Sequence, residues 1–183
     1  MSSLWGSLRR IENVTSLKYF DCGDSELNRF LTEDARFFKE EMIANTYVWE
    51  DSSSVLAYFC LLTDSVSRDA VDRNLWRKLR KTFPHGKHFY SYPAVKIGRL
   101  AVSNLHKGKG IGGQCLSMIK RMLISSQHIA AMRFITVDAY ADAVPFYERN
   151  GFKPLRNEAE RGTLPMYYDL KQLDLSEQCN QLK

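Results

Sequence analysis

One stretch decides the fold of this chain: Lys107-Gly108-Lys109-Gly110-Ile111-Gly112-Gly113. Residues 95–102 before it have the composition of a buried strand, and residues 111–127 after it have the apolar periodicity of an amphipathic helix. Glycines allow a close approach of the backbone to an anion, and the first N–H groups of a helix have no partner within it. The stretch therefore predicts a loop that binds phosphate.

Three classes of phosphate loop are compatible with glycines at this place, and two of them fit poorly. A P-loop requires Lys-Ser or Lys-Thr after its glycines, and neither dipeptide follows these glycines. A dinucleotide-binding loop fits by pattern, through Gly108, Gly110 and Gly113 with Asp138 downstream. However, residues 103–107 separate these glycines from the strand, and too short a chain follows for repeated βαβ units.

The third class rests on two motifs that occur together. Lys107-x-x-Gly110-x-Gly112 resembles the [QR]-x-x-G-x-[GA] pyrophosphate loop of the GNAT superfamily of acetyl-CoA-dependent N-acyltransferases, with Lys in place of Arg or Gln. Residues 143–152, Ala-Val-Pro-Phe-Tyr-Glu-Arg-Asn-Gly-Phe, resemble the family's A-x-x-[FL]-Y-x-x-x-G-F segment. Residues 20–31 and 98–102 resemble the branch that includes toxins acetylating aminoacyl-tRNA. The resemblance spans residues 8–170.

The resemblance implies an α/β (mixed α+β) fold: a single GNAT-like domain over residues 1–172, with a mixed central sheet and helices on both faces. Residues 173–183 are then a polar C-terminal tail. From periodicity and turn signals we predict strands at 8–13, 46–50, 55–62, 94–102, 132–138, 152–156 and 164–170. Helices are predicted at 24–31, 32–42, 69–83, 111–127 and 141–150, with Pro84-His85-Gly86 ending the third.

The resemblance also implies where acetyl-CoA binds and which residue acts as the acid. Pantetheine would pair with the backbone near Leu100 and Val102, and the pyrophosphate would take N–H groups from 107–113. Tyr140 stands where many members place an Asn that contacts CoA, and Tyr147 is the predicted general acid on the CoA sulfur. The predicted cofactor-binding residues are Leu100, Ala101, Val102, Lys107, Gly108, Lys109, Gly110, Ile111, Gly112, Gly113 and Tyr140.

Other residues near the expected acceptor side have no assigned role at this stage. Asp138, Glu33 and Asp34 are candidate carboxylates, although each also fits a structural or surface position. Arg99 is a candidate for acceptor recognition or for an ion pair on its strand. Water or backbone carbonyls are equally compatible with the role of general base.

Composition narrows the class of protein further. Hydrophobic residues make up 44% of the 183, which is enough for one core, and no window of 18 apolar residues or N-terminal apolar region is found. The cysteines, Cys22, Cys60, Cys115 and Cys179, lack metal-ligand spacing, so we expect free thiols in the cytoplasm and no metal. Cys115 lies on the apolar stripe of its helix, where packing is the expected role.

Charge is distributed unevenly along the chain. Residues 68–88 contain seven Lys or Arg against two Asp, a net of +5 that equals the charge of the whole chain. Residues 21–41 contain seven acidic residues against three basic ones, a net of −4. Both runs fit solvated helix faces. The basic run could instead follow a nucleic-acid backbone, and the acidic run could receive a cationic amine.

These observations predict an N-acetyltransferase that moves an acetyl group from acetyl-CoA to a primary amine by direct attack in a ternary complex. Two alternatives stay open at this stage. One is toxin-type acetylation of the α-amine of aminoacyl-tRNA, with tRNA and an antitoxin as partners. The other is an inactive regulatory module that binds CoA. A homodimer is a further candidate assembly, and no membrane partner is expected.

Overall fold

The computed structural model describes residues 6–12, 17–83, 89–159 and 162–173. Seven strands form a mixed sheet in the order β1-β2-β3-β4-β5-β7-β6. The strands are β1 (Ser7–Arg10), β2 (Asn45–Glu50), β3 (Val55–Ser67), β4 (Ser91–Val102), β5 (Phe134–Tyr140), β6 (Lys153–Pro154) and β7 (Thr163–Asp169). The helices are α1 (Ser25–Arg29), α2 (Ala35–Glu40), α3 (Arg73–Lys81), α4 (Ile111–Ser125) and α5 (Val144–Arg149).

The chain divides into two compact units. The first contains Met1–Leu62 and Ile97–Met118, and the second contains Thr63–Lys96 and Ile119–Lys183. Strands β3 and β4 and helix α4 each contribute residues to both. In the first unit, β2 pairs antiparallel with β1 and β3. In the second, β4 pairs parallel with β5, and β7 pairs antiparallel with β5 and β6.

Neighbouring residues of β2 show that helices cover both faces of the sheet in the first unit. Val48 packs in a cluster with Phe30, Leu31 and Ala35 from the α1–α2 segment. The next residue, Trp49, packs in a different cluster with residues of α4. Successive side chains of a strand point to opposite faces, so α1–α2 and α4 lie on opposite sides of this part of the sheet.

Strand β7 gives the same result for the second unit. Tyr167 belongs to a buried cluster with Trp76 and Leu79 of α3. The ring of Tyr168, the next residue, lies 3.8 Å from the ammonium group of Lys120 on α4. Because these two side chains point to opposite faces, α3 and α4 cover opposite sides here. The predicted mixed sheet with helices on both faces is confirmed.

The α1–α2 segment is one continuous helical run, and the predicted start of a second helix at Thr32 is wrong. Asp24 caps α1 as predicted, because its side chain accepts hydrogen bonds from the N–H groups of Glu26 and Leu27. Phe30–Asp34 then form a π-helical turn, in which Ala35 donates its N–H to the carbonyl of Phe30. Thr32 lies within this turn, and its hydroxyl donates to the Asn28 carbonyl at 3.2 Å.

Other predicted elements are present with shifted ends. The helix predicted at 69–83 is split into a 3₁₀ turn at Arg68–Ala70 and helix α3, with Val71 extended between them. Strand β5 runs two residues farther than predicted, to Tyr140.

No helix among the described residues is long and apolar enough to cross a membrane. The predicted stop at Pro84-His85-Gly86, Cys179 and most of the predicted tail lie outside the described residues.

Candidate functional site

The last residues of β4 contain the predicted pantetheine-binding positions. Ala101 is buried in the cluster beneath α1–α2. Leu100 and Val102, on the other face, are half-buried against the cluster that contains Ile111 and Cys115. Cys115 is fully buried, and burial raises the pKa of its thiol to about 12. The Cys115 side chain therefore stays a neutral packing group at neutral pH, as the apolar stripe predicts.

The glycine loop after β4 is fastened to the start of the α1 region. Asn104 donates its backbone N–H to the Asp21 carbonyl at 2.8 Å, and its side-chain amide donates to the Asp21 carboxylate at 3.1 Å. The ammonium group of Lys107 donates to the carbonyl of Cys22 at 2.7 Å. Hydrogen bonds to the Asp21 carboxylate from the Gly23 N–H and from the side chains of Asn28 and Asn104, with the nearby charge of Lys107, hold the pKa of Asp21 below its usual value. The loop is thus fixed at its entry.

Two glycines of the loop adopt backbone conformations that other residues rarely take. Gly108 has a φ of +74° and Gly110 a φ of +77°, and no atom lies within 4 Å of a Cβ built at either position. Helix α4 begins directly afterwards, and the Gly110 carbonyl accepts its first hydrogen bond from Gln114 at 3.1 Å. The N–H groups of Ile111, Gly112 and Gly113 have no acceptor within the helix. The geometry fits an anion at this helix N-terminus.

Strand β5 and helix α5 contain the other predicted positions, which belong to the second unit. The parallel ladder between β4 and β5 extends only from Ala94 with Phe134 to Lys96 with Thr136. Strand β5 continues to Tyr140, which pairs with Thr163 of β7 and is 64% exposed. The hydroxyl of Tyr140 is therefore accessible to a ligand.

Tyr147 lies in α5 and is 7% exposed. Its ring packs edge-on against Phe146 at 5.1 Å and Phe152 at 5.3 Å between ring centroids. In the described parts of the chain, no protein group forms a hydrogen bond with its hydroxyl. Burial raises the pKa of Tyr147 to about 12, so the phenol keeps its proton throughout the neutral range. This is the protonation state that a general acid requires.

Lys120 of α4 holds the end of α5 in place. Its ammonium group donates to the carbonyl of Asn150, at the C-cap of α5, at 2.7 Å, and lies 3.8 Å from the ring of Tyr168. Carbonyls at a helix C-terminus lack partners within the helix and attract cations. Burial lowers the pKa of Lys120 to about 8. No local sequence pattern predicts these contacts of Lys120, because its partners are distant in the chain.

The candidate acceptor residues are engaged with protein partners. Asp138 forms an ion pair with Lys96. The guanidinium group of Arg99 lies 4.0 Å from the centre of the Phe30 ring and 3.7 Å from the carboxylate of Glu26. Glu33 is exposed within the π turn, and Asp34 makes no capping hydrogen bond at the start of α2. Arg99 and Asp138 thus both contact other protein side chains. The sequence alone left open whether each has such a structural contact or binds the acceptor.

Asp64, a carboxylate that the sequence analysis missed, lies at a cavity of about 390 Å³ in the second unit. This cavity is lined by Asp64 of β3, Lys96 of β4, Thr136 and Asp138 of β5, Thr163 of β7, and Arg156 from the segment between β6 and β7. Asp64 accepts a hydrogen bond from the hydroxyl of Thr136, which is 72 residues away in the chain. No local pattern signals a site assembled from such distant positions.

Comparison with known proteins agrees with this geometry. Residues 88–168 match the family model described as an acetyltransferase (GNAT) domain. A structure of AtaT complexed with acetyl-methionyl-tRNAfMet superposes with a TM-score of 0.75 and 23% identity, over 92% of this chain and 97% of that one. A mutant of KacT gives a TM-score of 0.73 and 23% identity, over 93% of this chain and 98% of that one.

A third similar structure is a mutant of the AtaT toxin bound to the C-terminus of the antitoxin AtaR and acetyl-CoA. Its TM-score is 0.68 at 21% identity, over 92% of this chain and 96% of that one. These likenesses establish the fold over nearly the whole chain, and the family match identifies the domain that contains the glycine loop and Tyr147. Residues 88–168 thus match an acetyltransferase (GNAT) domain, and the chain has the fold of the AtaT and KacT structures.

Proposed function

We propose that the protein transfers the acetyl group of acetyl-CoA to the α-amine of an aminoacyl-tRNA. The observation that carries the choice of acceptor is the basic surface of α3. This helix contains five basic residues and no acidic one, and Trp76 and Leu79 bury its opposite side. Its exposed cations are Arg73, Arg77, Lys78 and Lys81, with Arg80 half-buried. A row of cations on one helix suits the phosphates of an RNA backbone.

On the donor side, we propose that the backbone of Leu100 to Val102 pairs with the pantetheine amides. The N–H groups from Lys107 to Gly113 would bind the pyrophosphate, and the exposed hydroxyl of Tyr140 would replace the family's Asn. The open space at Gly108 and Gly110 supports this assignment, because it lets an anion approach the backbone closely. Acetyl-CoA supplies an activated thioester, so the protein has to position the reactants and manage the protons.

Tyr147 is our proposed general acid. The amine, in its neutral form, attacks the thioester carbonyl directly, and the C–S bond breaks as the C–N bond forms. The leaving thiolate takes the phenolic proton, the amine nitrogen loses its proton to water, and water returns a proton to the phenolate. The hydroxyl of Tyr147 has no hydrogen-bond partner among the described residues, and its raised pKa keeps it protonated. Both features support a proton donor.

The structure does not favour the acidic segment 21–41 as the acceptor site. Four of its seven acidic residues have local structural partners. Asp21 holds the glycine loop, Asp24 caps α1, Glu26 contacts Arg99, and Glu40 pairs with Arg36. These four carboxylates are thus engaged in the fold, and Glu33, Asp34 and Glu41 are the other acidic residues of the segment.

The same comparisons support proposals about partners and boundaries. AtaT binds the C-terminus of the antitoxin AtaR, and we propose an antitoxin and a homodimer for this protein as well. We further propose that the acetyltransferase domain covers residues 1–172, that residues 173–183 form a tail, and that the enzyme acts in the cytoplasm, where charged tRNA and acetyl-CoA occur together.

A tRNA-binding experiment with charge-reversal variants tests the acceptor class. The double variant Arg77→Glu/Lys78→Glu should weaken the binding of charged tRNA and lower its dependence on salt concentration, because fewer counterions are released. The control is Arg121→Glu/Lys153→Glu, which changes the same number of exposed charges elsewhere. Gel-shift titrations at two salt concentrations give both quantities.

Equal binding by the two double variants would contradict a role for the basic surface of α3. The absence of tRNA binding by the wild type at low salt would remove aminoacyl-tRNA as the acceptor. A small or peptidyl amine would then be the substrate, to be found by measuring thiol release from acetyl-CoA with a panel of amines. No thiol release with any acceptor would favour the inactive CoA-binding module.

A further inference from the structure

The cavity at Asp64 lies on one face of the sheet, beside the end of β5. Its walls include Asp64 of β3, Lys96 of β4, Thr136 and Asp138 of β5, and Thr163 of β7. Strand β5 ends at Tyr140, and α5, which contains Tyr147, begins at Val144. A volume of about 390 Å³ is at the lower end of the range for small-molecule sites. The cavity can therefore hold a group about the size of an amino acid.

Two carboxylates, Asp64 and Asp138, and two cations, Lys96 and Arg156, line this cavity. Lys96 forms an ion pair with Asp138. Arg156 donates to the carbonyl of Ala70 at 3.2 and 3.4 Å. Within the described ranges, Asp64 has no cationic partner: its hydrogen bonds come from the Thr136 hydroxyl and from the backbone N–H of Ser65 at 2.7 Å. The Asp64 carboxylate therefore faces the cavity without a direct ion pair among the described residues.

The position of this carboxylate is well defined. Thr136 is only 4% exposed, so its hydroxyl is a fixed donor to one oxygen of Asp64. The N–H of Ser65 binds the other oxygen. Each carboxylate oxygen can accept a second hydrogen bond. A primary ammonium group has three donors and a charge opposite to that of the carboxylate. It would supply the second hydrogen bonds that these oxygens can accept.

We propose that this cavity receives the amino end of the acceptor and that Asp64 binds its ammonium group. The proposal rests on the proposed function, because it identifies where the α-amine of an aminoacyl-tRNA is held before transfer. It also assigns the acceptor's cation to the second unit and away from the acidic segment 21–41. Asp64 is then an acceptor-binding residue, and the class of ligand is a primary amine in its cationic form.

Two matched ligands test this inference without any catalytic step. Aminoacyl-tRNA and its N-acetylated form contain the same nucleic acid and the same amino-acid side chain, and differ in the acetyl group, which removes the charge of the α-amine. The binding of both is measured in the absence of acetyl-CoA. The wild type should bind the free-amine form roughly 10- to 100-fold more tightly, as expected for a hydrogen-bonded charge pair.

The variant Asp64→Asn removes the charge and keeps a side-chain oxygen for the Thr136 hydroxyl, so the fold should survive. It should bind both ligands alike, while the rise in melting temperature caused by acetyl-CoA stays as in the wild type. Asp69→Asn is the control, since Asp69 is exposed, does not line the cavity and binds the Tyr90 hydroxyl. It should keep the preference of the wild type.

Retention of the wild-type preference by Asp64→Asn would overturn the inference. If the wild type binds neither form of the tRNA, the proposed acceptor fails instead, and the inference is then tested with spermidine as a cationic amine in the thiol-release assay. In that assay Asp64→Asn should lower kcat/KM by roughly 10-fold or more. Equal kcat/KM values for the variant and the wild type would overturn the role of Asp64.

Discussion

Tyr147 combines a buried ring with a hydroxyl that no described protein group binds. Tyr147→Phe removes the hydroxyl and keeps the packing against Phe146 and Phe152. If the hydroxyl protonates the leaving thiolate, kcat should fall by about 10² to 10⁴, the usual scale of general acid catalysis. The KM for acetyl-CoA should change little. Steady-state kinetics measures both values.

A second buried tyrosine is a matched control for this change. Tyr92 also has a hydroxyl without a partner in the described structure, and this hydroxyl is buried, so Tyr92→Phe deletes the same group outside the proposed site. This variant should keep the wild-type kcat and fold at least as stably, because no hydrogen bond is lost. Equal kcat values for Tyr147→Phe and the wild type would return Tyr147 to a packing role.

A substitution at Gly110 tests whether the glycine loop binds acetyl-CoA, because this residue has a positive φ. A valine at its φ of +77° is strained by roughly 1–3 kcal/mol, and its side chain would occupy the space proposed for the pyrophosphate. Gly110→Val should therefore abolish the rise in melting temperature caused by acetyl-CoA. Gly162→Val has a comparable φ of +83° and equally open space, and it should keep the rise. Loss of the rise in both variants would argue against a specific role of the loop.

The sequence could predict the glycine loop and Tyr147, but it could not predict Asp64. Glycine chemistry is local, so the positive φ angles at Gly108 and Gly110 follow from a contiguous stretch. The neighbours of Asp64 come from β4, β5 and β7. Their juxtaposition depends on the strand order, which no local pattern contains. The predicted roles of Tyr147, of Tyr140, of the glycine loop and of the residues of β4 stay predictions.

At the scale of elements, Lys120 links α4 to the end of α5. Its pKa of about 8 lies below the value of about 10.4 expected in the unfolded chain. Between these values the unfolded chain holds more protons than the folded one, so the contribution of Lys120 to the free energy of unfolding rises with pH. The free energy of unfolding of the wild type minus that of the Lys120→Met variant should therefore increase from about pH 7 to about pH 9.5. Urea unfolding measures this difference.

Lys153→Met controls for the loss of a lysine on an exposed surface of β6. A difference between the wild type and Lys120→Met that stays constant across this pH range would show that the ammonium group of Lys120 is not desolvated. A difference that decreases would reverse the inferred sign of the pKa shift.

The ends of α3 show why local patterns predict elements better than their boundaries. The apolar spacing from Val71 to Leu79 is helical, and a helix was predicted from residue 69. In the structure Val71 is extended, and Asp72 donates its N–H to the Leu155 carbonyl at 3.0 Å. A tertiary hydrogen bond thus replaces the first helical turn, and its partner is more than 80 residues away in the chain.

At the scale of the whole molecule, binding of acetyl-CoA should stabilise the folded state by mass action. At a concentration of about 100 Kd the gain is about 2.7 kcal/mol, which corresponds to a rise in melting temperature of roughly 5–11 °C for a chain of this size. NADH should give no comparable rise. Stabilisation by NADH alone would contradict the assignment of the glycine loop and favour the dinucleotide-binding alternative.

The π-helical turn at Phe30–Asp34 contains one residue more than an α-helical turn would need. Each residue rotates an α-helix by about 100°, so the extra residue sets the angular phase of α2 relative to α1. Deletion of Thr32 would rotate Phe38 by about 100° away from Phe30, whose ring centroid is 5.3 Å distant, and away from the Arg99 guanidinium at 5.8 Å. The length of this helix, as well as its composition, thus determines which surface of α2 meets the sheet.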